Sequence, residues 1–319
     1  SFYSANSEYI PLLRACVLMQ ECGLSLRKIF LGEMDDYQQM VDEGVRLLGK
    51  EHGMGLLGKK ESGFLLLDRL ALPYPPGIAL SEVLVKRICE MSGESRQALM
   101  DCLHKKLAGI GIDIEKDVLA VRSNPKQSMP GIFTTSRTQG MKYLLMDILT
   151  VANAWYSERA VAYRKKNGVS EAFDLPIIIQ LWKSGKSPDR DYLKKRGSDP
   201  KLPLYAAGVF STRNPNTNEK KLYGRYKVDS HGEDLMTGGG QGEDVNDLET
   251  KAPDIYRQLL SAAESLETEA GPQEIEFVVN DGKLYFVQTR KLSFSASAEI
   301  AYIRELLAAG KISEARAIP

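Results

Sequence analysis

No apolar run in the 319-residue chain approaches the ~20 residues that a membrane-spanning helix requires, so a helical membrane protein is set aside at once. An excess of one charge is missing too: Lys plus Arg is 42 and Asp plus Glu is 42. That balance gives no general push toward nucleic acid or an anionic membrane surface. Cysteine is sparse. Cys16, Cys22, Cys89 and Cys102 have neither the density of a disulfide scaffold nor the paired spacing of a zinc site. Reduced thiols in a cytoplasmic compartment are the expectation. Histidine is sparser still, with only His52, His104 and His231. The glycine run at 238–242 lacks the preceding strand and the spacing of a dinucleotide-binding fingerprint, and reads as a loop. What remains, 43% hydrophobic and 26% charged, is ordinary globular composition for one large or two medium domains.

The most informative stretch runs from Glu274 to Arg290. Two β-rich segments flank Asn280-Asp281-Gly282, a hairpin signal. A three-residue loop would pair Val279 with Lys283, setting Glu276 opposite Phe286 and Glu274 opposite Gln288. Alternation then turns Glu274, Glu276, Gln288 and Arg290 to one face, and Ile275, Phe277, Leu284 and Val287 to the core. Two carboxylates, an amide oxygen and a guanidinium on one face suit a magnesium–phosphate complex: hard oxygens for the metal, a fork of donors for the phosphate. The plainer alternative is a two-faced hairpin with a solvated polar side.

Along the rest of the chain, residues 8–49 read as two helices, the second over 34–49. Ser81 is placed to cap a helix over residues 82–91. A short strand runs from Asp117 to Val121 and ends at Arg122. Residues 141–165 are a long helical run, Leu175 to Leu181 a buried strand, and Lys183 to Lys201 a loop. Strands are expected near 206–212 and 222–229, a helix near 252–270, and an exit helix with a short tail over 297–319.

Several segments, in order, resemble the nucleotide-binding domain of the pyruvate phosphate dikinase family. They are Leu56-Leu57-Gly58-Lys59-Lys60 with Leu72-Pro73-Tyr74-Pro75-Pro76-Gly77; Val121-Arg122-Ser123 through Ser128-Met129-Pro130-Gly131; and Ser157-Glu158-Arg159-Ala160 with Tyr163-Arg164. Ser211-Thr212-Arg213-Asn214-Pro215, Tyr223-Gly224 and Gly232-Glu233-Asp234 follow, and the hairpin closes the series. The resemblance implies an α+β ATP-grasp fold: a helical segment over 1–52, a first lobe over 53–182, a second over 183–292, and an exit helix or linker over 293–319 leading toward another domain.

It also implies roles. Lys60 and Arg122 would reach the phosphates of ATP, with Gly131 on the loop that covers them. Glu276 and Gln288 would hold Mg2+, and Arg290 would support the transferred phosphoryl group. Glu274 and Glu233 would meet the ribose, and the strand at Gln180 would offer backbone groups to adenine. Glu233 is preferred over Glu243 of the second Gly-Glu-Asp copy because its spacing from Gly224 needs no insertion. The implied function is phosphoryl transfer from Mg-ATP to a histidine on a phosphohistidine domain, in cis or in trans, because no segment here resembles that acceptor. Relatives with another final acceptor, such as water dikinases or antibiotic phosphotransferases, and a nucleotide-sensing module without turnover are the alternatives. The chain departs from the family in the phosphate loop, where Asn124-Pro125 stand in place of small residues and should stiffen it.

Overall fold

A computed structural model describes residues 37–50, 58–127, 129, 131–231 and 242–313. Within them the chain adopts the α+β, two-lobe architecture expected of an ATP-grasp fold, built on two five-stranded antiparallel sheets. The first sheet contains β1 (Val45–Leu47), β2 (Gly77–Leu80), β3 (Leu119–Ser123), β4 (Ser136–Thr138) and β5 (Ile177–Leu181), in the order β1-β2-β5-β3-β4. The second contains β6 (Ala206–Ser211), β7 (Tyr223–Val228), β8 (Glu243–Asp244), β9 (Gln273–Asn280) and β10 (Lys283–Lys291), in the order β10-β9-β6-β7-β8.

The strand at β5, Ile-Ile-Ile-Gln-Leu, is a continuous apolar run because both its faces are covered. On one face Ile177 and Ile179 join Ile78, Leu80 and Val121 in a core shared with α2 (Glu82–Glu90), α3 (Gly93–Ala108) and α4 (Met141–Asn153). On the other face Ile178 and Ala79 join a second core. There they meet Phe210, Phe277 and Phe286 of the second sheet, and Phe64 and Leu67 of α1 (Lys59–Arg69). Helix α1 therefore precedes the first sheet's central strands in sequence yet buries its apolar face in the core of the second sheet. Each such side chain contributes about 1.5–3 kcal/mol on burial. The start of α1, and Lys60 with it, is fixed where the two lobes meet.

Serine side chains cap the starts of three of the labelled helices. Ser81 Oγ accepts from the Leu84 amide at 3.2 Å, the cap expected from sequence. The 141–165 run is not continuous: Ser157 breaks it, its Oγ accepting from Ala160 N at 3.3 Å to begin α5 (Glu158–Asn167). The helix expected over 34–49 is helical at 37–44 and then becomes β1, because Val45, Arg46 and Leu47 pair with β2. The stretch 183–201 is not all loop. It holds α6 (Tyr192–Ser198), anchored by buried Tyr192, whose hydroxyl donates to Pro203 O at 2.8 Å. The remaining helices are α7 (Leu248–Lys251), α8 (Pro253–Ala270) and the exit helix α9 (Ala296–Ala308).

Candidate functional site

The hairpin β9–β10 forms with a different register from the one expected. Its turn has two residues, Asp281 and Gly282, both at positive φ (51° and 73°), which matches the right-handed strand twist. Val279 therefore pairs with Leu284, not Lys283. A bulge at Val287 adds a second one-residue shift. Glu276 now stands opposite Gln288, not Phe286, and Glu274 opposite Arg290, not Gln288. The buried positions of β10 are Leu284, Phe286 and Thr289, and Val287 is not among them. The four polar residues do share one face, in a tighter arrangement than a regular ladder would give.

Two cross-strand pairs make up that face. Gln288 Nε2 donates to Glu276 Oε1 at 3.1 Å. Arg290 Nε donates to Glu274 Oε1 at 2.8 Å, and its Nη2 reaches the same oxygen. The second pair is half exposed at Arg290 and adds little stability by itself.

The first lobe meets this face through Arg122, in β3. Its Nη1 donates to Val287 O at 2.9 Å and its Nη2 to Gln288 Oε1 at 3.0 Å. The bulge is what leaves the Val287 carbonyl outside the ladder and available to a side chain. Lys60, the second residue of α1, donates its ammonium to Ser123 O, next to Arg122 in sequence. Burial and the nearby Arg122 push the Lys60 ammonium down to about 7, against the opposing pull of Glu276. Burial also lowers Arg122, again opposed by Glu276. Lys60, Arg122, Glu276 and Gln288 thus form one electrostatic group drawn from three parts of the chain. Two cations sit there with one carboxylate, an imbalance that favours a polyanionic ligand.

Gly131 and Gln180, also expected at the site, have other surroundings. Gly131 has φ +70°, a left-handed conformation that suits glycine, and a side chain there would approach Arg159. Gln180 is buried in β5 with its Nε2 donating to Pro75 O at 2.8 Å. The amides beside it are engaged in the sheet, Leu181 N with Pro76 O at 2.9 Å and Trp182 N with Val118 O at 2.8 Å. Both of these donors are thus engaged within the first sheet and its flanking segments. Glu233 lies outside the described residues. Glu243 of the second Gly-Glu-Asp copy sits in β8 and accepts from Tyr226 OH at 2.9 Å.

Sequence reasoning missed Asn124. Its side chain is fully buried, its Oδ1 accepts from Lys60 N at 2.9 Å, and its own backbone N–H donates to Pro176 O at 2.8 Å. Two of the family-like arginines turn out to be packing groups. Arg164 lies 4.1 Å from the centre of the Trp155 ring and donates to Trp155 O at 2.7 Å. Arg213 ties α8 and α9 to the second sheet through Glu267 and Glu305.

Among the described residues no three His, Cys, Asp or Glu side chains gather as a metal site. Mg2+, however, keeps several waters and commonly takes one or two carboxylates plus substrate phosphates. The Glu276 carboxylate and the side-chain oxygen of Gln288 are donors of that kind, although it is the Gln288 Nε2 that faces Glu276 here. The Gln288 oxygen now serves Arg122, so ligation requires the amide to turn.

Comparison with known proteins gives the family. A family model described as the pyruvate phosphate dikinase AMP/ATP-binding domain matches residues 84–246. The pyruvate, phosphate dikinase of Clostridium symbiosum is 30% identical over 176 residues, covering 55% of this chain and 18% of that protein. That of Rickettsia felis is 33% identical over 177 residues, covering 54% and 19%. The match spans under a fifth of either relative's length. D-alanyl-alanine synthetase A from Vibrio cholerae aligns over 81% of this chain and 61% of its own at 13% identity, with a TM-score of 0.39, a likeness too slight to argue from. Arg122, Gly131, Gln180 and Glu233 fall inside the matched segment, whereas Lys60 and the hairpin fall outside it. That segment covers just over half of the chain, and the chain belongs to the pyruvate phosphate dikinase AMP/ATP-binding domain family.

Proposed function

We propose that this chain binds Mg-ATP where its two lobes meet and passes a phosphoryl group to a histidine on a separate domain. One observation carries the reading: Lys60 and Arg122 of the first lobe converge on Glu276 and Gln288 of the second. Phosphoryl transfer asks a protein mainly for positioning and charge neutralisation, and these residues supply both.

Lys60 and Arg122 bind and orient the phosphate chain, and Arg290, once released from Glu274, is within the same face to steady the departing group. Glu276 and Gln288 would hold Mg2+, which supplies charge neutralisation to the phosphate oxygens when bound. The desolvated surroundings of Lys60 and Arg122 strengthen their pull on an anion. The relatives' names, pyruvate, phosphate dikinase, suggest that the phosphoryl group goes on toward pyruvate, through parts of those proteins that this chain does not align with.

Calorimetric titration with ATP, with and without magnesium, tests the reading. Binding is expected, and it should tighten with the metal. No binding at millimolar nucleotide in either condition would refute it.

A further inference from the structure

Four consecutive residues of the first lobe each engage the site or its support. Arg122 reaches the hairpin, Ser123 O accepts the Lys60 ammonium, Asn124 Oδ1 accepts the Lys60 amide, and Pro125 O accepts the Lys59 amide at 3.4 Å. The third contact is unusual in its source. Helix α1 begins at Gly58, which has no side chain to cap it, and no cap forms from its own sequence. The first amides of a helix have no partner within the helix and need one from elsewhere. Asn124 supplies it from 64 residues away, as an N-cap would from within.

The fit between the two segments is close. A Cβ on Gly58 would stand 1.8 Å from Asn124 O and 2.5 Å from Asn124 Oδ1, so the turn is moulded around this side chain. Asn124 is in turn fixed from behind by its backbone N–H, which donates to Pro176 O just ahead of β5. Its Nδ2 is buried and has no hydrogen-bond partner among the described residues.

We propose that Asn124 is a positioning residue for Lys60, holding the Gly58-Lys59-Lys60 turn so that the Lys60 ammonium stays on Ser123 O beside Arg122. The inference rests on the reading of this group as the phosphate site. Charged groups facing the ammonium are Arg122 from β3 and Glu276 from β9, and Asn124 is the neutral group that sets its place between them. Losing the cap frees the first turn of α1, and Lys60 then samples positions away from the phosphates.

The test compares Asn124→Ala, which lacks the acceptor, with Asn124→Asp, which keeps it. The first readout is the rate at which an amine-acylating reagent labels Lys60, followed by peptide mass spectrometry across a pH series, and the rates compared are those extrapolated to the fully unprotonated amine, so that they report access and not the protonation of Lys60. It needs no nucleotide. Asn124→Ala should label at Lys60 several-fold faster than the parent, with other lysines unchanged, and Asn124→Asp should return to the parent's slow rate. The second readout is nucleotide affinity, expected to weaken about tenfold in Asn124→Ala, an effect of roughly one charge-assisted hydrogen bond. Equal labelling of Lys60 in the parent and a folded Asn124→Ala overturns the proposal, as does failure of folded Asn124→Asp to restore protection. If Asn124→Ala does not fold, Asn124→Leu, which keeps the bulk and lacks the acceptor, takes its place: faster labelling of Lys60 in it supports the role, and labelling at the parent's rate refutes the role. Altered labelling with no ATP binding by the parent would uphold the positioning role and reject the nucleotide reading.

Discussion

Replacing Arg213 with Ala should cost the second lobe about 3–4 kcal/mol, and the reasoning is specific. The guanidinium is nearly buried, donates through Nε to Glu267 at 2.8 Å and through Nη2 to Glu305 at 2.8 Å, and lies 5.2 Å from the centre of the Tyr302 ring. Glu267 is itself only 10% exposed, and its second oxygen has no other partner. Removing one member of a buried pair strands the other charge at about 3–5 kcal/mol. Glu305 is half exposed and adds at most about 1 kcal/mol, with a similar upper figure for the cation–ring contact. These do not sum fully because they share one side chain. The control, Glu305→Ala, should cost about 1 kcal/mol or less. Urea unfolding of both variants gives the global cost, and hydrogen exchange over α9 reports whether the exit helix has come loose. The pH dependence has a definite sign. Arg213 holds the Glu305 carboxyl below its ordinary value, so this stabilisation is present above the unfolded pKa near 4.5 and is lost as pH falls through the lower folded value. The gap between parent and Arg213→Ala should therefore narrow in acid. A cost under 1 kcal/mol at neutral pH, with α9 still protected, would refute the reasoning.

Glu276→Ala should abolish magnesium-dependent phosphoryl transfer and shift melting by only a few degrees, since the residue is partly solvated and its core neighbours are untouched; transfer at the parent's rate would remove it from the metal site. Binding of ATP should take up protons above neutral pH, because Lys60 is lowered to about 7 when free and phosphates would raise it again; calorimetry in buffers of differing ionisation heat should give an uptake near zero at pH 6 that grows toward pH 8. Gly58→Ala should destabilise the first turn of α1 by about 1–3 kcal/mol or more, since the added methyl meets the Asn124 backbone oxygen, which cannot swing aside; a melt indistinguishable from the parent's would count against that packing.

Much of this was legible in the letters. Ser81 announced a cap and formed one, and the Ile-rich run at β5 announced a strand covered on both faces. The polar face of the hairpin was readable because Glu274 and Glu276 alternate with Ile275 and Phe277. The register was not, though the pattern carried a hint. Strict alternation cannot bury both Leu284 and Phe286 while exposing Gln288 and Arg290, so one residue between them had to leave the ladder. The partners of Lys60 were hidden for a different reason. Its amide depends on a side chain 64 residues away, and no local propensity encodes such a contact. The same holds for β1, which is a strand only because β2 lies beside it. Packing across the lobes, through α1, is likewise a property of the folded whole.

The bulge at Val287 has a consequence for how this hairpin tolerates insertions and deletions. Phe286 already pairs with Phe277, and Gln288 with Glu276. Excising Val287 would therefore join two segments that are already in step, giving a regular ladder with every side chain on its present face. Along with the Val287 side chain, it would remove one of the two acceptors that hold Arg122, leaving Gln288 Oε1 as the other. A single deletion in this chain thus separates two properties that point substitutions tend to change together: the composition of the polar face, and the attachment of one lobe to the other.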